Sequence, residues 1–324
     1  MDTGRFRPFF SAQAFASAHA ITHDNPALTL ETTTLTYKLI RKIKDDLFDE
    51  EFLHQYHLLI NIGARDFQLS VIRPEDEKVL LLEDFVLPNL TSNEELIHIL
   101  DQLFDSHALL KANFWQKIKV SVKNPKFVQV PQALFAESSI ADYLKFNAHI
   151  DPAKEDVLAS FNERSQAVTV FAMSSSLRAW LNSVYPNNPP VYTHQSAALI
   201  EGTMQFAEKR KDNPLYIYVD RFKLHILACR DKKLLYYNQF AIKQFSDYIR
   251  YIMLVMKSLN MDQQTSQVIL WGYIGKNSPH YHEFYKYISN VTFGGEPDDL
   301  SFGYAFDEVP EHHYFDLYSI HLIH

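Results

Sequence analysis

The sequence has little cysteine, no excess of positive charge and no long apolar run. Its single cysteine, Cys229, excludes an internal disulfide and a zinc site built from cysteines. The net charge of −8 argues against a general nucleic-acid binder, because phosphate binding needs a positive surface. No apolar run approaches the roughly 18–20 residues of a membrane-spanning helix. We therefore expect a cytoplasmic protein with no nucleic-acid partner and no membrane span.

What the chain does contain is enough apolar material for a core. Hydrophobic residues make up 47% of the 324 residues, and this length suggests two domains. Residues 1–35 are the exception, because they show no apolar period. Arg5 and Arg7 precede a stretch that loosely resembles a signal peptide, but serine and glutamine interrupt its apolar part. We predict that residues 1–35 are a weakly ordered N-terminal extension that folding does not need, with a signal peptide as the alternative.

An internal repeat organises the rest of the chain. Residues 67–85 align without a gap with residues 222–240, and six positions are identical. In both places an apolar strand comes before the repeat, and an amphipathic helix and a further strand follow it. The shared β-β-β-α-β order predicts two mixed sheets with helices packed on them. The apolar strands in front are predicted at 58–62 and 215–219, and the strands behind at 118–122 and 268–271.

The boundary between the two halves is predicted near Pro190, because the proline-rich stretch 186–190 breaks the chain. The first half then covers residues 36–190 and the second half residues 191–324. Residues 167–172 are predicted to form a closing strand of the first half. A serine-capped helix should follow over 174–184, and a connecting helix over 194–209.

The duplicated unit resembles the actin-like ATPase fold of actin, sugar kinases, Hsp70 and pilus-assembly proteins. This resemblance implies an α/β protein with a duplicated ribonuclease-H-like fold, two mixed sheets with packed helices. In those proteins each half opens with a strand that ends in Asp-x-Gly, and the following turn holds phosphates. Residues 58–63 look like the first such turn, and residues 268–279 are similar to the strand–glycine–helix element beneath the adenosine. From Leu39 to His324 the chain also resembles an uncharacterised bacterial family, best known from Bacteroidetes, with an actin-like ATPase fold.

The resemblance implies a cleft between the two opening turns. It places the first turn opposite the second, with two glycines of the adenosine-like element at the side. Backbone N–H groups near the first glycine and the two arginines would favour an anion. The alternative is that the glycine only permits a tight turn and that both arginines are solvated. The residues of this degenerate nucleotide cleft are Asn61, Gly63, Ala64, Arg65, Asp220, Arg221, Gly272 and Gly275.

All three nucleotide elements depart from the family pattern, which bears on function. Asn61 stands where an ATPase has aspartate, the second turn has no glycine, and Tyr273 replaces a second glycine of the adenosine-like element. The sequence therefore favours a non-catalytic, pseudo-ATPase module that binds a protein partner or itself, without catalytic residues, metal or cofactor. The alternative is a nucleotide-binding protein, a slow ATPase or a small-molecule kinase, which would use ATP or ADP with Mg²⁺ in the cleft.

Overall fold

Two large mixed sheets and one small sheet build the protein in the computed structural model, which describes residues 36–221 and 223–324. The extension predicted over residues 1–35 lies outside the described residues. In the described part of the chain, no helix is both long enough and apolar enough to cross a membrane.

The strands are β1 (Lys38–Lys44), β2 (His57–Ile62), β3 (Asp66–Arg73), β4 (Lys78–Val86), β5 (Lys117–Val122), β6 (Phe127–Pro131), β7 (Glu155–Asn162), β8 (Ala167–Ser174), β9 (Val191–His194), β10 (Leu215–Val219), β11 (Lys223–Arg230), β12 (Lys233–Ala241), β13 (Val268–Gly272), β14 (Val291–Phe293) and β15 (Ser301–Phe302). The α-helices are α1 (Asn93–Ser106), α2 (Ala108–Lys111), α3 (Ile140–Leu144), α4 (Ser175–Val184), α5 (Gln195–Glu208), α6 (Phe245–Ser258), α7 (Pro279–Tyr285) and α8 (Phe315–Tyr318). Short 3-10 helices cover Glu50–Gln55, Gln132–Leu134, Glu137–Ser139, Tyr304–Phe306 and Ser319–Leu322.

The two large sheets repeat one strand order, as the duplication predicts. The first sheet runs β1-β4-β3-β2-β5-β9, with β15 also on β4, and the second runs β12-β11-β10-β13-β14. In each sheet three antiparallel strands are followed by parallel ones: β2 pairs with β5, and β10 pairs with β13. Apart from β1 and β15, the two sheets have the same topology.

Local sequence signals explain where several helices begin. The Ser92 side chain accepts a hydrogen bond from the Glu95 backbone N–H, which caps α1. Ser174 accepts from the Leu177 N–H in the same way and starts α4. The predicted connecting helix is α5.

The stretch between the halves differs from the prediction in one element. Residues 167–172 do not close the first sheet: they lie in β8, which belongs to the separate three-stranded sheet β6-β8-β7. The predicted strand is present as part of β8, but pattern alone does not identify the strands with which it pairs. In addition, β9 begins at Val191, directly after the predicted boundary, and pairs with β5 of the first sheet.

The large sheets are packed on both faces. Helices α1 and α4 share a core with the first sheet, and α6 and α7 share one with the second. Helix α5 packs against both sheets, through Ala198 on one side and Leu199 on the other. Helix α8 does the same through Leu317 and Phe315. The opening turns of the two sheets therefore lie near a shared middle layer.

Candidate functional site

The site begins with the two turns that follow the opening strands β2 and β10. The first turn is closed by a hydrogen bond from the Gly63 N–H to the Asp66 carbonyl, at 2.9 Å. The second is closed by the Asp220 N–H and the Lys223 carbonyl, also at 2.9 Å. A Cβ on Gly63 would overlap the Asp66 carboxylate and would lie 3.4 Å from Cδ of Lys123. The open face of this glycine is thus covered by the protein's own side chains.

Lys123 fills the space between the two turns. It follows β5 directly, and its side chain is only 2% exposed. Its Nζ lies 2.6 Å from Asp66 of the first turn and 3.7 Å from Asp220 of the second. A third carboxylate, Asp316 of α8, is 3.4 Å away. One ammonium thus joins both halves of the molecule and the C-terminal helix.

The charges of this cluster are strongly coupled. Burial by itself lowers the pKa of Lys123, but Asp220, Asp316 and Asp66 outweigh it and raise that pKa well above its usual value. Burial raises the pKa of Asp220, but Lys123 and other nearby cations lower it by more. The pKa of Asp220 therefore lies below its usual range. The pKa of Asp66 is raised, because the effect of burial there exceeds the attraction of Lys123. The ammonium therefore stays charged while three carboxylates share it.

Asp316 connects three further elements. Its Oδ2 accepts hydrogen bonds from Asn61 of β2 and from Gln195 of α5, both at 2.8 Å. Its Oδ1 accepts from the Tyr218 hydroxyl of β10 at 2.5 Å. Gln195 also donates to Asp220 at 3.1 Å. Because these groups are buried, breaking one of these bonds would leave a polar atom without a partner.

A second connection between the halves surrounds Asp84 of β4, which is fully buried. The Arg221 guanidinium donates to both of its oxygens, at 3.1 and 3.0 Å. The hydroxyls of Tyr273 and Tyr314 donate to the same carboxylate, at 3.2 and 3.1 Å. Gln68 donates to the Tyr273 hydroxyl. The Arg221 guanidinium also lies 4.6 Å from the centroid of the Tyr273 ring, a cation–π distance.

A cavity of about 410 Å³ remains beside these contacts, on the side of the second sheet. Its lining combines aromatic rings with one guanidinium and one imidazole. The lining residues are Val219, Asp220, Arg221, Tyr248, Tyr273, Ile274, His280 and Phe284.

Residues 45–291 match the family described as "protein of unknown function (DUF3822)". The match covers well over half of the chain. The chain belongs to the DUF3822 family.

Similarity to solved structures shows the fold class of this DUF3822 chain. A Bacteroides thetaiotaomicron protein "with actin-like ATPase fold and unknown function" is 22% identical, with a TM-score of 0.68 over 76% of this chain and 94% of that one. A chain of a "PilM-PilN type IV pilus biogenesis complex" is 14% identical, with a TM-score of 0.54 over 82% of this chain and 97% of that one. No curated protein matches. The predicted family resemblance and the duplicated, actin-like fold are confirmed.

The residues predicted for the cleft divide into two groups. Asn61, Gly63, Asp220 and Arg221 come together around the Lys123 and Asp84 clusters. Ala64 and Arg65 form the exposed tip of the first turn, Gly272 lies against the backbone of Val219, and Gly275 precedes α7. The binding of a nucleotide by this set stays a prediction.

The residues present do not fit a nucleotide phosphate with Mg²⁺ in the DUF3822 cleft. The Gly63 N–H is already bonded to the Asp66 carbonyl, the Asp66 carboxylate lies against this glycine, and an ammonium lies among the carboxylates. Among the described residues, no group of three or more histidine, cysteine, aspartate or glutamate side chains is arranged to hold a metal ion.

Sequence reasoning missed the residues at the centre of the site: Lys123, Asp66, Asp316, Asp84 and Gln195. One signal was available, because Lys123 directly follows an apolar strand whose end should lie beside that of β2. For Asp316 the chain offers no such signal, since it lies in a four-residue helix far from both repeats.

Proposed function

We propose that this chain is a non-catalytic, actin-like module that binds a protein partner or a second copy of itself. The observation that carries the proposal is the Lys123 ammonium, which is buried in the cleft and paired with Asp66, Asp220 and Asp316. The protein supplies its own cation where an ATPase would bind one with its substrate.

The energetics of this cluster oppose nucleotide binding. A phosphate at Gly63 would have to displace the Asp66 carboxylate, and Mg²⁺ would have to displace Lys123. Removing one partner of a buried ion pair costs about 3–5 kcal/mol. Since each 1.4 kcal/mol is a factor of about ten in affinity, the nucleotide would lose several orders of magnitude.

A protein partner is consistent with the known uses of this fold. The PilM–PilN complex contains a chain of the same fold within an assembly of two different proteins. A module whose cleft is closed by its own side chains would act through its outer surface.

The test is a thermal-shift titration of the full chain with Mg-ATP and Mg-ADP, together with a phosphate-release assay. We expect no change in melting temperature and no release above background. A ligand at 100 times its Kd would stabilise the fold by about 2.7 kcal/mol, which such a titration detects easily. A nucleotide-dependent rise would overturn the proposal, as would phosphate release that Arg221→Met abolishes.

The cavity of about 410 Å³ favours a second candidate, a nucleotide-binding protein that acts as a slow ATPase or small-molecule kinase. Its volume lies within the range of roughly 300–1,000 Å³ that small-molecule sites occupy. Tyr248 and Phe284 line it with rings, and Arg221, whose guanidinium is paired with Asp84, is the cation of its lining. The same titration decides between the two candidates.

A further inference from the structure

The outer strands of the two large sheets are protected in different ways, and β12 is the exception. Exposed edge strands invite pairing with other chains, so proteins blunt them with charges, bulges or short length. At one edge of the first sheet, β1 carries four cations in the sequence KLIRKIK and has a bulge between Leu39 and Arg41. At one edge of the second sheet, β14 has only three residues.

Strand β12 forms the other edge of the second sheet, and apart from Lys233 and a bulge beside its turn it has none of these protections. It has nine residues, and among the described residues no strand pairs with its outer side. Between Leu234 and Ala241 it contains neither a charge nor a proline. Its only register irregularity lies at the turn end, where Ala228 pairs with Tyr236 and Cys229 pairs with Leu234, which leaves Leu235 as a bulged residue of β12. Every residue of β12 is at least partly exposed, and Leu235 is 50% exposed.

A groove on α6 is joined to this edge strand by one ring contact, and its lining includes Arg250 and Lys257 as well as apolar side chains. The ring of Phe240 in β12 stacks on Tyr251 of α6, with centroids 4.4 Å apart. Beyond Tyr251 lies a groove of about 700 Å³ whose lining includes Met253, Leu254 and Met261. Leu254 is 59% exposed. Methionine side chains adapt to different partners, so this groove can receive the side chains of an added strand.

The charges around β12 indicate what kind of strand would bind. Lys232 and Lys233 lie at one end of β12, and Lys243 lies just past the other end. Neither Lys233 nor Lys243 forms an ion pair with a described residue. A second copy of the chain, paired antiparallel, would bring Lys233 of one copy toward Lys243 of the other, and these like charges repel. A segment with acidic ends and an uncharged centre would meet opposite charge at both ends.

We propose that β12 accepts an extended segment of a partner protein as a sixth strand, and that this segment is uncharged in its centre and acidic at both ends. Backbone hydrogen bonds would provide affinity, and the groove on α6 and the flanking lysines would provide specificity. The inference rests on the proposed partner-binding function and names the surface and the partner's chemistry.

The test measures binding of a fluorescent synthetic peptide to the full chain by anisotropy. The peptide has the nine-residue length of β12, with glutamates at both ends and alternating valine and threonine between them. We expect saturable binding that weakens about tenfold or more when alternate peptide nitrogens are methylated, because this removes strand hydrogen bonds but leaves the charge unchanged. A peptide with lysines in place of the glutamates should not bind.

Matched protein variants locate the site. Lys233→Glu with Lys243→Glu should weaken binding of the acidic peptide about tenfold or more. The same double reversal at two exposed lysines away from β12 that form no ion pair with a described residue, Lys38→Glu with Lys276→Glu, should leave binding unchanged. Failure of the acidic peptide to bind would overturn the inference, as would equal binding of the methylated or the lysine peptide. Dimerisation of the chain that Leu235→Lys abolishes would also overturn it, since a second copy would then be the occupant. None of these results bears on the proposal that the chain does not bind a nucleotide. The thermal-shift titration tests that proposal separately.

Discussion

The ammonium of Lys123 is the only cation within 4.0 Å of Asp66 and Asp316 among the described residues. Replacing it by methionine keeps much of the volume but leaves three buried carboxylates without their shared cation. We expect Lys123→Met to lower the free energy of unfolding by about 3–5 kcal/mol, measured by urea denaturation at neutral pH.

The control for this substitution is Lys145→Met. Lys145 also pairs with an aspartate, Asp142, but both side chains are well exposed, at 67% and 59%. Exposed pairs contribute at most about 1 kcal/mol. If Lys123→Met cost no more than this control, the buried cluster would not hold the cleft closed.

At the level of single residues, the sequence predicted the positions where the chain turns but not the side chains that meet there. Asn61, Gly63, Asp220 and Arg221 could be predicted because they lie at the end of an apolar strand or directly after it. Their partners come from remote parts of the chain: Lys123 lies 57 residues from Asp66, and Asp316 lies 255 residues from Asn61. Such pairs depend on tertiary packing, which local patterns do not encode.

Helix α5 is held between the sheets by a close approach at Gly202. A Cβ at this position would lie 2.9 Å from Cβ of Ser319 and 3.1 Å from Cε1 of Phe315, and would overlap the Ser319 hydroxyl. Alanine should gain up to about 1 kcal/mol in helix propensity. We expect the steric conflict to outweigh this gain, because Ser319 and Phe315 are fully buried. Gly202→Ala should therefore lower the free energy of unfolding by about 1–3 kcal/mol in urea.

Gly275 provides a matched comparison for α5. No atom lies within 4 Å of a Cβ built there, so Gly275→Ala should change stability by less than about 0.5 kcal/mol. Adding Ser319→Ala to Gly202→Ala should recover part of the loss. Equal stability of Gly202→Ala and wild type would mean that α5 has room to move.

Whole elements were easier to predict than single contacts. The strand predicted at 215–219 has the bounds of β10, and the predicted hairpins of the repeat are β3–β4 and β11–β12. Two features of the sheets were not predicted from the sequence. Strand β9 has only four residues, too few for a period to be visible. The sheet order of β8 depends on which strands it meets, and its own sequence does not record them.

The acid stability of the whole molecule should depend on its buried histidines. Burial lowers the pKa of His194 to about 3, and it lowers the pKa of His225 to the same value. In the unfolded chain a histidine takes up its proton near pH 6.5, whereas these two stay neutral in the folded state until about pH 3. Stability is therefore full above pH 6.5 and falls as the pH drops toward 3. Each histidine should cost about 2 kcal/mol between pH 7 and pH 5.

His194→Asn tests this directly. Asparagine can still cap α5, as the imidazole does by accepting from the Ser196 N–H at 3.1 Å, but it does not titrate. The variant should show a smaller fall in unfolding free energy between pH 7 and pH 5, by about 2 kcal/mol, in a series of urea titrations. An unchanged pH dependence would show that His194 takes up its proton at the same pH in the folded and the unfolded chain.

The middle layer of the molecule has a consequence for how the chain is made. Helix α8 packs against both sheets, but its residues follow every strand of those sheets in chain order. A ribosome therefore releases both sheets before it releases the segment that lies between them. Until then the inner faces, including Leu59 of one sheet and Trp271 of the other, lack part of their cover. Such half-covered intermediates are prone to aggregate, so the nascent chain passes through a vulnerable interval that ends only when α8 emerges and docks.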